Sequence, residues 1–265
     1  MKIFNLIPRS SVFGKFLLNL CKSYLNHYNQ FSYNPYENGE FQLLNKLSKL
    51  DFKTIFDVGS NIGNWSLNAR KYFLNSFIHC FEISKSTFSV LKDIEDIKIQ
   101  LNNFGLSDKE LQIYYKDYGH NSGLNTTVLD GSFHDNSLKY QLIKCNVTTG
   151  DLYCLKKDIN YIDFLKIDVE GAESSVLNGF HNLLSKQKIR VIQFEYGYHN
   201  GDAKFLMKDF FNFFKKFSYI IGKVNCGSII FLGDTWDYRY NDFNSGPNYV
   251  AINKYDLELV NLLSK

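Results

Sequence analysis

Ionisable side chains crowd into residues 164–173, whose sequence is FLKIDVEGAE. The run starts as a buried-strand pattern and ends as a helix start, so its charges gather around one strand end. These charges belong to Lys166, Asp168, Glu170 and Glu173. Lys166 and Asp168 share a face because side chains alternate along a strand. Burying so many charges is costly unless they pair or bind a ligand, and a structural lysine–glutamate network is the alternative.

A glycine turn, DVGSNIG at residues 57–63, follows an earlier apolar run. Gly59 and Gly63 permit a tight turn and a close approach of a ligand to the backbone. The G-x-x-x-G spacing differs from the dinucleotide fingerprint and from the Walker loop, so neither ligand class is indicated. An amino-acid ligand would need only the turn and a carboxylate for its ammonium, which Asp57 offers. An ordinary strand-to-helix turn is the alternative.

An acidic residue, Glu82, ends the next apolar run about twenty positions beyond the glycine turn, where a ribose-binding carboxylate is expected. Its two oxygens can accept hydrogen bonds from both ribose hydroxyls. A residue favoured by a helix dipole is the alternative. Farther on, Asn103 could bond an adenine edge, and Phe104 or Leu106 could cover the adenine face. An Asn-rich turn explains that segment equally well.

Strand and helix patterns alternate along the chain, and this alternation must position the charged groups. It predicts an α/β fold: a doubly wound, mostly parallel sheet with helices on both faces. Such sheets bind ligands at the carboxyl ends of their strands. Patterns at 111–115 and 141–147 predict an inserted β pair that flanks a long loop at 117–136. Single helices are predicted over 172–184 and 202–217, and a strand over 97–104.

The first 50 residues are predicted to form a helical extension, with a single domain over 51–265. An amphipathic helix from about residue 12 to residue 28 is expected to pack on the domain or on a partner subunit of a homo-oligomer. Membrane contact is not expected, although docking of this helix at a membrane surface is the alternative. The apolar stretches are too short for a membrane span or a signal core.

Composition narrows the partners and the compartment. The 30 Lys and Arg against 27 Asp and Glu give a net charge of +3, which does not indicate a nucleic-acid partner. The five cysteines are widely spaced and form no C-x-x-C pair, so neither a disulfide framework nor a zinc site is expected. The expected compartment is the reducing cytoplasm.

Five runs stand in an order and spacing that resemble the FkbM family of S-adenosylmethionine-dependent methyltransferases. They are FDVGSNIG at 56–63, FE at 81–82, LSD at 106–108, LKIDVEGAE at 165–173 and FE at 194–195. The resemblance covers roughly residues 52–200, with a weaker match at 248–252, and LKIDVEGAE is its most specific part. Ile83 stands where the family often has proline, and Ser60 where it often has alanine. Residues 1–50 and the 117–136 loop match nothing in the family.

The resemblance implies the Rossmann-like fold of class I methyltransferases, with S-adenosylmethionine as methyl donor. It implies O-methyl transfer to a sugar or other small hydroxylated acceptor, in surface-polysaccharide or natural-product biosynthesis. The cofactor-binding candidates are Asp57, Gly59, Ser60, Asn61, Gly63, Glu82, Ile83, Asn103, Phe104 and Asp168. The catalytic candidates are Lys166, Asp168 and Glu195, and the acceptor-binding candidates are Tyr118, His120, Glu170 and Glu173.

Methyl transfer from a sulfonium is an in-line displacement, so the protein has to position the reactants and remove the acceptor's proton. Asp168 is the predicted general base, and burial would have to raise its pKa for that role. His120, His134 and His199 are alternatives. A divalent metal held by Asp168, Glu170 and Glu195 is a further alternative, but no metal is predicted because the spacing is not a recognised metal pattern.

Three other functions remain open on sequence alone. A nicotinamide-dependent oxidoreductase could use a similar sheet, but the G-x-G-x-x-G fingerprint is missing. A non-catalytic module on a methyltransferase fold would not need the intact set of Asp57, Gly59, Gly63 and Glu82. A nucleic-acid methyltransferase is disfavoured by the near-neutral charge and by the lack of a motif for a flipped base.

Overall fold

The fold, seen in a computed structural model, is built on an eight-stranded sheet with a three-stranded sheet beside it. The structure describes residues 8, 10–119, 122–130 and 138–264. The strands are β1 (Thr54–Val58), β2 (Phe77–Phe81), β3 (Ile99–Asn102), β4 (Gly105–Leu106), β5 (Leu111–Asp117), β6 (Gln141–Thr148), β7 (Ile162–Ile167), β8 (Ile189–Glu195), β9 (Tyr219–Asn225), β10 (Ser228–Phe231) and β11 (Asn248–Asn253). The large sheet has the order β10-β9-β11-β8-β7-β1-β2-β3.

The described chain contains ten α-helices, most of which cover the two faces of the large sheet. They are α1 (Val12–Tyr28), α2 (Glu40–Leu47), α3 (Asn64–Tyr72), α4 (Lys85–Leu91), α5 (Gly150–Lys156), α6 (Glu173–Asn178), α7 (His181–Ser185), α8 (Tyr198–Asp202), α9 (Met207–Lys216) and α10 (Leu257–Leu263). Neighbouring residues of one strand enter different cores: Phe56 belongs to one hydrophobic cluster and Ile55 to the other. Leu165 and Phe164 divide in the same way, so the central strands read as continuous apolar runs because both their faces are buried. This confirms the predicted doubly wound fold.

Parallel pairing brings four strand ends to one edge. The register pairs Val58 with both Phe81 and Ile167, and Ile167 with Phe194. Strands β3, β2, β1, β7 and β8 run parallel, whereas β11 runs antiparallel to β8 and β9, and β10 antiparallel to β9. The segments that follow β1, β2, β7 and β8 therefore converge where ligands bind in open α/β sheets.

The inserted β pair is confirmed. Strands β5 and β6 pair antiparallel from Leu111 with Val147 to Asp117 with Gln141, and β4 joins β6 in parallel. The strand predicted over 97–104 is wrong in its extent, because the chain leaves the large sheet after Asn102 and enters the small one at Gly105.

Two predicted helices are each interrupted. The helix expected over 172–184 divides into α6 and α7 at Gly179, where a Cβ atom would lie 2.1 Å from the carbonyl oxygen of Ser107. The helix expected over 202–217 begins only at Met207, because Asp209 accepts the backbone N–H of Leu206 at 2.9 Å and caps the start of α9. Periodicity alone does not reveal either interruption.

The N-terminal helix α1 has the bounds expected from the sequence, but it does not pack on the domain as expected, since none of its residues is buried. Hydrogen bonds tie the chain just after its end, where Lys223 donates to the Asn29 carbonyl at 3.0 Å. Helix α2 differs, because Leu44 and Leu47 are fully buried in a core cluster. The domain boundary at residue 50 stays a prediction. Among the residues that the structure describes, no helix combines the length and the apolar character needed to cross a bilayer.

Candidate functional site

A cavity of about 760 Å³ opens where the ends of β1, β2, β7 and β8 converge. This volume is typical of a pocket for a small-molecule cofactor or substrate. Predicted site residues that line it are Gly59, Asn61, Glu82, Ile83, Asp168, Glu170 and Glu195. The cavity therefore joins the glycine turn, the candidate ribose carboxylate and the acidic run in one space.

Gly59 fixes the contact between the glycine turn and the end of β7. Its φ is +83°, and a Cβ atom there would lie 1.8 Å from the carbonyl oxygen of Asp168. Only glycine fits that approach, because any side chain would push the two loops apart. Gly63, with φ +84°, lies away from the cavity against Leu91 and Ile94. The turn thus leaves open backbone facing the cavity next to Asp168.

Glu82 lies in the cavity wall with acceptor positions to spare. Its two carboxylate oxygens accept the backbone N–H of Ser84 at 2.7 Å and that of Asn61 at 2.9 Å. A carboxylate offers about four acceptor positions, so positions remain for ligand hydroxyls. Burial raises the pKa of Glu82 to about 7, although these two hydrogen bonds favour the ionised form.

Three predicted cofactor residues support the strands instead of lining the cavity. Ser60 accepts the Phe81 N–H at 2.8 Å and donates to the Asp57 carbonyl, while Asn103 donates to the Glu82 carbonyl at 2.8 Å. The Phe104 ring packs 5.8 Å from that of Phe81, next to the core. Leu106, which the sequence offered as an alternative cover for an adenine face, does line the cavity together with Ile83.

Lys166 is a buried cation shared by two carboxylates. Its Nζ atom lies 3.0 Å from Asp168 Oδ2 and 3.5 Å from Asp57 Oδ1. Asp57 is fully buried, accepts the Ser66 hydroxyl at 2.6 Å and is not among the cavity-lining residues. Asp57 therefore binds the ammonium of Lys166. Its predicted contact with the ammonium of a ligand gains no support from the structure. The sequence prediction that Lys166 and Asp168 share a face is confirmed.

Asp168, Glu170 and Glu195 form the acidic wall of the cavity, and their pKa values are shifted in opposite directions. Although burial works against ionisation, the ammonium of Lys166 holds the pKa of Asp168 below its usual value. Burial, and then the charge of Asp168, raise the pKa of Glu195 well above its usual value. Burial likewise raises the pKa of Glu170. A hydrogen bond joins the Asp168 and Glu195 side chains, so Glu195 is the proton holder of this pair.

Glu173 and His199 lie behind this wall. Glu173 is fully buried and accepts the Gly171 N–H at 3.2 Å and the Asn200 amide at 2.9 Å, so it closes its own loop and does not line the cavity. His199 Nδ1 lies 3.3 Å from Glu170 Oε2. Ligand atoms of Glu170, Glu195 and His199 lie within 4.8 Å of one another, a set that differs from the trio considered on sequence grounds by replacing Asp168 with the histidine.

The inserted segment closes one side of the cavity. Ser122, Gly123, Asn125, Thr127 and Leu129 line it, and the Thr126 hydroxyl donates to the Glu170 carbonyl at 2.6 Å. Tyr118 does not line the cavity, because its backbone N–H is bonded to Asn125 and its ring packs 5.7 Å from that of Tyr140. The predictions for His120 and His134 lie outside the described residues.

Sequence reasoning missed several cavity residues that arrive from distant parts of the chain. They are Tyr33, Asn38, Glu40, Pro247 and Asn248. The Gln193 amide of β8 donates to Glu40 at 2.5 Å and also bonds Asn248, so one buried side chain of the sheet holds both segments. Burial raises the pKa of Glu40, against the effect of Lys166. No local sequence pattern identifies these residues as part of the site, because only long-range tertiary contacts bring them to the cavity.

A doubly wound sheet with a glycine turn after β1, an acidic residue after β2 and a cavity at the strand ends is an arrangement typical of α/β proteins that bind nucleoside-containing cofactors. The sequence pattern described as the methyltransferase FkbM domain matches residues 57–221 of this chain, which therefore belongs to that family. The prediction of a methyltransferase with S-adenosylmethionine as cofactor is thus confirmed at the level of the family. The individual cofactor contacts stay predictions.

Solved structures with similar folds are distant in sequence, and no curated protein matches the chain. A putative O-methyltransferase from Klebsiella pneumoniae is 12% identical with a TM-score of 0.43, over 95% of this chain and 93% of that one. A putative caffeoyl-CoA O-methyltransferase from Staphylococcus aureus is 10% identical with a TM-score of 0.43, over 92% and 100%. The plantazolicin methyltransferase BpumL, in complex with a monoazolic desmethylPZN analogue and SAH, is 11% identical with a TM-score of 0.45, over 91% and 92%.

Proposed function

We propose that this chain transfers a methyl group from S-adenosylmethionine to a hydroxyl of a sugar or another small hydroxylated acceptor. The observation that carries the proposal is a carboxyl of raised pKa, Glu195, in the wall of the same cavity that holds the glycine turn and Glu82. When ionised, a carboxyl of raised pKa is a stronger base than an ordinary carboxylate, which suits the removal of a proton from a hydroxyl.

The residues present fit the cofactor at one end of the cavity. The glycine turn allows a ligand to approach the backbone at Gly59, and Glu82 has free acceptor positions for two ribose hydroxyls. Leu106 and Ile83 offer an apolar surface for a base. When bound, the cofactor supplies an electrophilic methyl group on a sulfonium, whose positive charge suits a cavity with several carboxylates.

The acceptor end uses the acidic wall. Glu195 in its ionised form would accept the proton of the acceptor hydroxyl. Asp168, held ionised by Lys166, would orient the Glu195 carboxyl through their hydrogen bond. This assignment replaces Asp168 as the base, because the raised pKa required for that role is found at Glu195 instead. Lys166 and Asp168 are then positioning residues.

Two exposed aromatic side chains support a sugar-like acceptor. Tyr33 and Tyr114 line the cavity and are 64% and 45% exposed, so each offers an accessible ring at the mouth. Rings in such places stack on the apolar faces of sugars while their hydroxyls hydrogen-bond. The acceptor class implied by the sequence resemblance points the same way.

Calorimetric titration with S-adenosylhomocysteine tests the cofactor assignment. The wild type is expected to bind, and Glu82→Ala is expected to lose at least about tenfold in affinity, because two hydrogen bonds to a charged group disappear. Glu110→Ala is the matched control, since Glu110 is an exposed glutamate paired with Lys156 outside the cavity. Binding that is equal in both variants would contradict the role of Glu82. Absence of binding by the wild type would favour a non-catalytic module.

A divalent metal is the second candidate for activating the acceptor, and Glu170, Glu195 and His199 are the residues that would hold it. A metal would lower the pKa of a bound hydroxyl, so that its proton could pass to solvent water and no protein base would be needed. Methyl transfer measured with labelled donor before and after treatment with a chelator separates the two. Unchanged activity supports Glu195 as base, whereas activity that is lost on chelation and restored by Mg²⁺ or Mn²⁺ supports the metal.

A further inference from the structure

Helix α1 presents a wide apolar surface that nothing in the described chain covers. The helix has 17 residues, none of them buried. More than half of the surface of each of these large side chains is exposed: Val12, Phe13, Phe16, Leu18, Leu20, Tyr24, Leu25 and Tyr28. Exposed apolar area of this extent on one element marks an interaction site.

The two sides of α1 differ in chemistry. At 3.6 residues per turn, Lys15, Asn19, Lys22 and Asn26 fall on one narrow strip. Opposite that strip, apolar side chains extend over more than half of the circumference, interrupted by Ser23 and His27. A helix that pairs with one other helix needs only a narrow seam of two positions per heptad. The apolar side of α1 is too wide for one partner helix to cover, whereas an interface plane would cover it.

The charge of α1 indicates which kind of surface can bind it. The sequence contains no Asp or Glu before Glu37, while Lys15 and Lys22 lie on the helix itself. A second copy of α1 would bring the same lysines and no carboxylate to pair with them. Anionic lipid headgroups supply the missing negative charge. Tyr24 and Tyr28 have the amphipathic rings that favour a membrane–water interface.

We propose that α1 is an interfacial helix that lies flat on an anionic membrane surface, with its apolar side in the headgroup region and Lys15 and Lys22 toward the lipid phosphates. The site is separate from the cavity and does not depend on the methyl-transfer assignment. It replaces the sequence expectation that the helix packs on the domain or on a partner subunit.

Flotation of the full chain with vesicles tests the proposal. Vesicles of phosphatidylcholine that contain phosphatidylglycerol are expected to carry the wild type, and pure phosphatidylcholine vesicles are expected to bind it more weakly. Lys15→Glu combined with Lys22→Glu is expected to weaken binding to the anionic vesicles by at least about tenfold, since each lysine is worth about fivefold near such a surface. The weak binding to neutral vesicles should not change.

A second double variant, Phe16→Ser with Leu20→Ser, removes apolar surface and is expected to reduce binding to both kinds of vesicle. Leu155→Ser is the matched control, because Leu155 is 79% exposed on α5 and its loss should not change binding. The proposal is overturned if the wild type binds no anionic vesicles. It is also overturned if sedimentation velocity shows a dimer that Phe16→Ser with Leu20→Ser dissociates while vesicle binding is unaffected.

Discussion

At the scale of single residues, the protonation states of its carboxyl groups determine what the site can do. Glu82 is surrounded by protein and has a pKa of about 7, and Glu195 shares a hydrogen bond with Asp168. Both carboxyls were predicted as site residues from sequence. The direction of their pKa shifts was not predictable, because it depends on burial and on the distance to neighbouring carboxylates, which only the fold sets.

Glu82 predicts a pH dependence of cofactor binding. Ribose hydroxyls donate hydrogen bonds to the ionised carboxylate, so binding favours loss of the Glu82 proton. Because the pKa of free Glu82 is about 7, affinity for S-adenosylhomocysteine should rise as pH rises through about 7 and then level off. Calorimetry from about pH 6 to about pH 8 measures this. In Glu82→Gln the affinity should be lower and flat with pH, and an unchanged slope would assign the proton to another group.

Glu195 predicts the rising limb of the pH–rate profile. The ionised form is the active one, so kcat should increase as pH rises through the raised pKa of this carboxyl. Glu195→Gln should lower kcat by about 10²–10⁴-fold and remove that limb, with little effect on S-adenosylhomocysteine affinity. Asp168→Asn is the comparison variant. It should lower kcat but keep the rising limb, which should be displaced in pH because the negative charge beside Glu195 is gone. A limb that survives in Glu195→Gln would contradict the assignment.

At the scale of elements, strand ends and loops hold the charges together. Lys166 on β7 reaches Asp57 on β1 and Asp168 beyond its own strand, so one ammonium joins two neighbouring segments. The predicted elements were largely right: α1 and β1 have the bounds expected from their patterns. The interruption at Gly179 was missed because its cause, the Ser107 carbonyl, lies far away in sequence.

Replacing Lys166 is predicted to destabilise the fold. Lys166→Met would leave the fully buried Asp57 without its counter-charge, beside the partly exposed Asp168, so the free energy of unfolding should fall by about 3–5 kcal/mol at neutral pH. Lys156→Met is the matched control, since its pair with Glu110 is exposed and such pairs contribute less than about 1 kcal/mol. Urea titration of both variants measures the difference. Equal losses of unfolding free energy in the two variants would mean that the buried network stabilises the fold no more than the exposed ion pair does.

Gly59 allows a second comparison at the level of a loop. Gly59→Ala combines a left-handed backbone with a clash against the Asp168 carbonyl. Gly227→Ala has a similar φ of +79° but nothing within 4 Å of the added Cβ, so it carries the backbone strain alone, about 1–2 kcal/mol. Gly59→Ala should therefore lose more stability in urea titration than Gly227→Ala, and only Gly59→Ala should weaken S-adenosylhomocysteine binding. Similar behaviour of the two would show that the loop can move aside.

At the scale of the whole molecule, the family, the sheet and the position of the cavity could all be inferred from sequence, because they depend on motifs at strand ends. The acceptor side could be inferred only in part, through Glu170 and Glu195. Tyr33 and Glu40 reach the cavity from the segments before β1, and Asn248 from the start of β11. These contacts join residues more than 150 positions apart, as between Glu40 and Gln193. Local patterns contain no information on such pairings.

The position of β11 also has a consequence for the order in which the sheet can be completed. β11 lies between β8 and β9 although it follows both along the chain. The β9–β10 hairpin therefore cannot join the large sheet until β11 has paired with β8. During synthesis, the emerging chain carries β8 as an open edge until residues 248–253 leave the ribosome. Open strand edges recruit other chains, so newly made molecules should be most prone to aggregation during that interval and should benefit most from chaperones then.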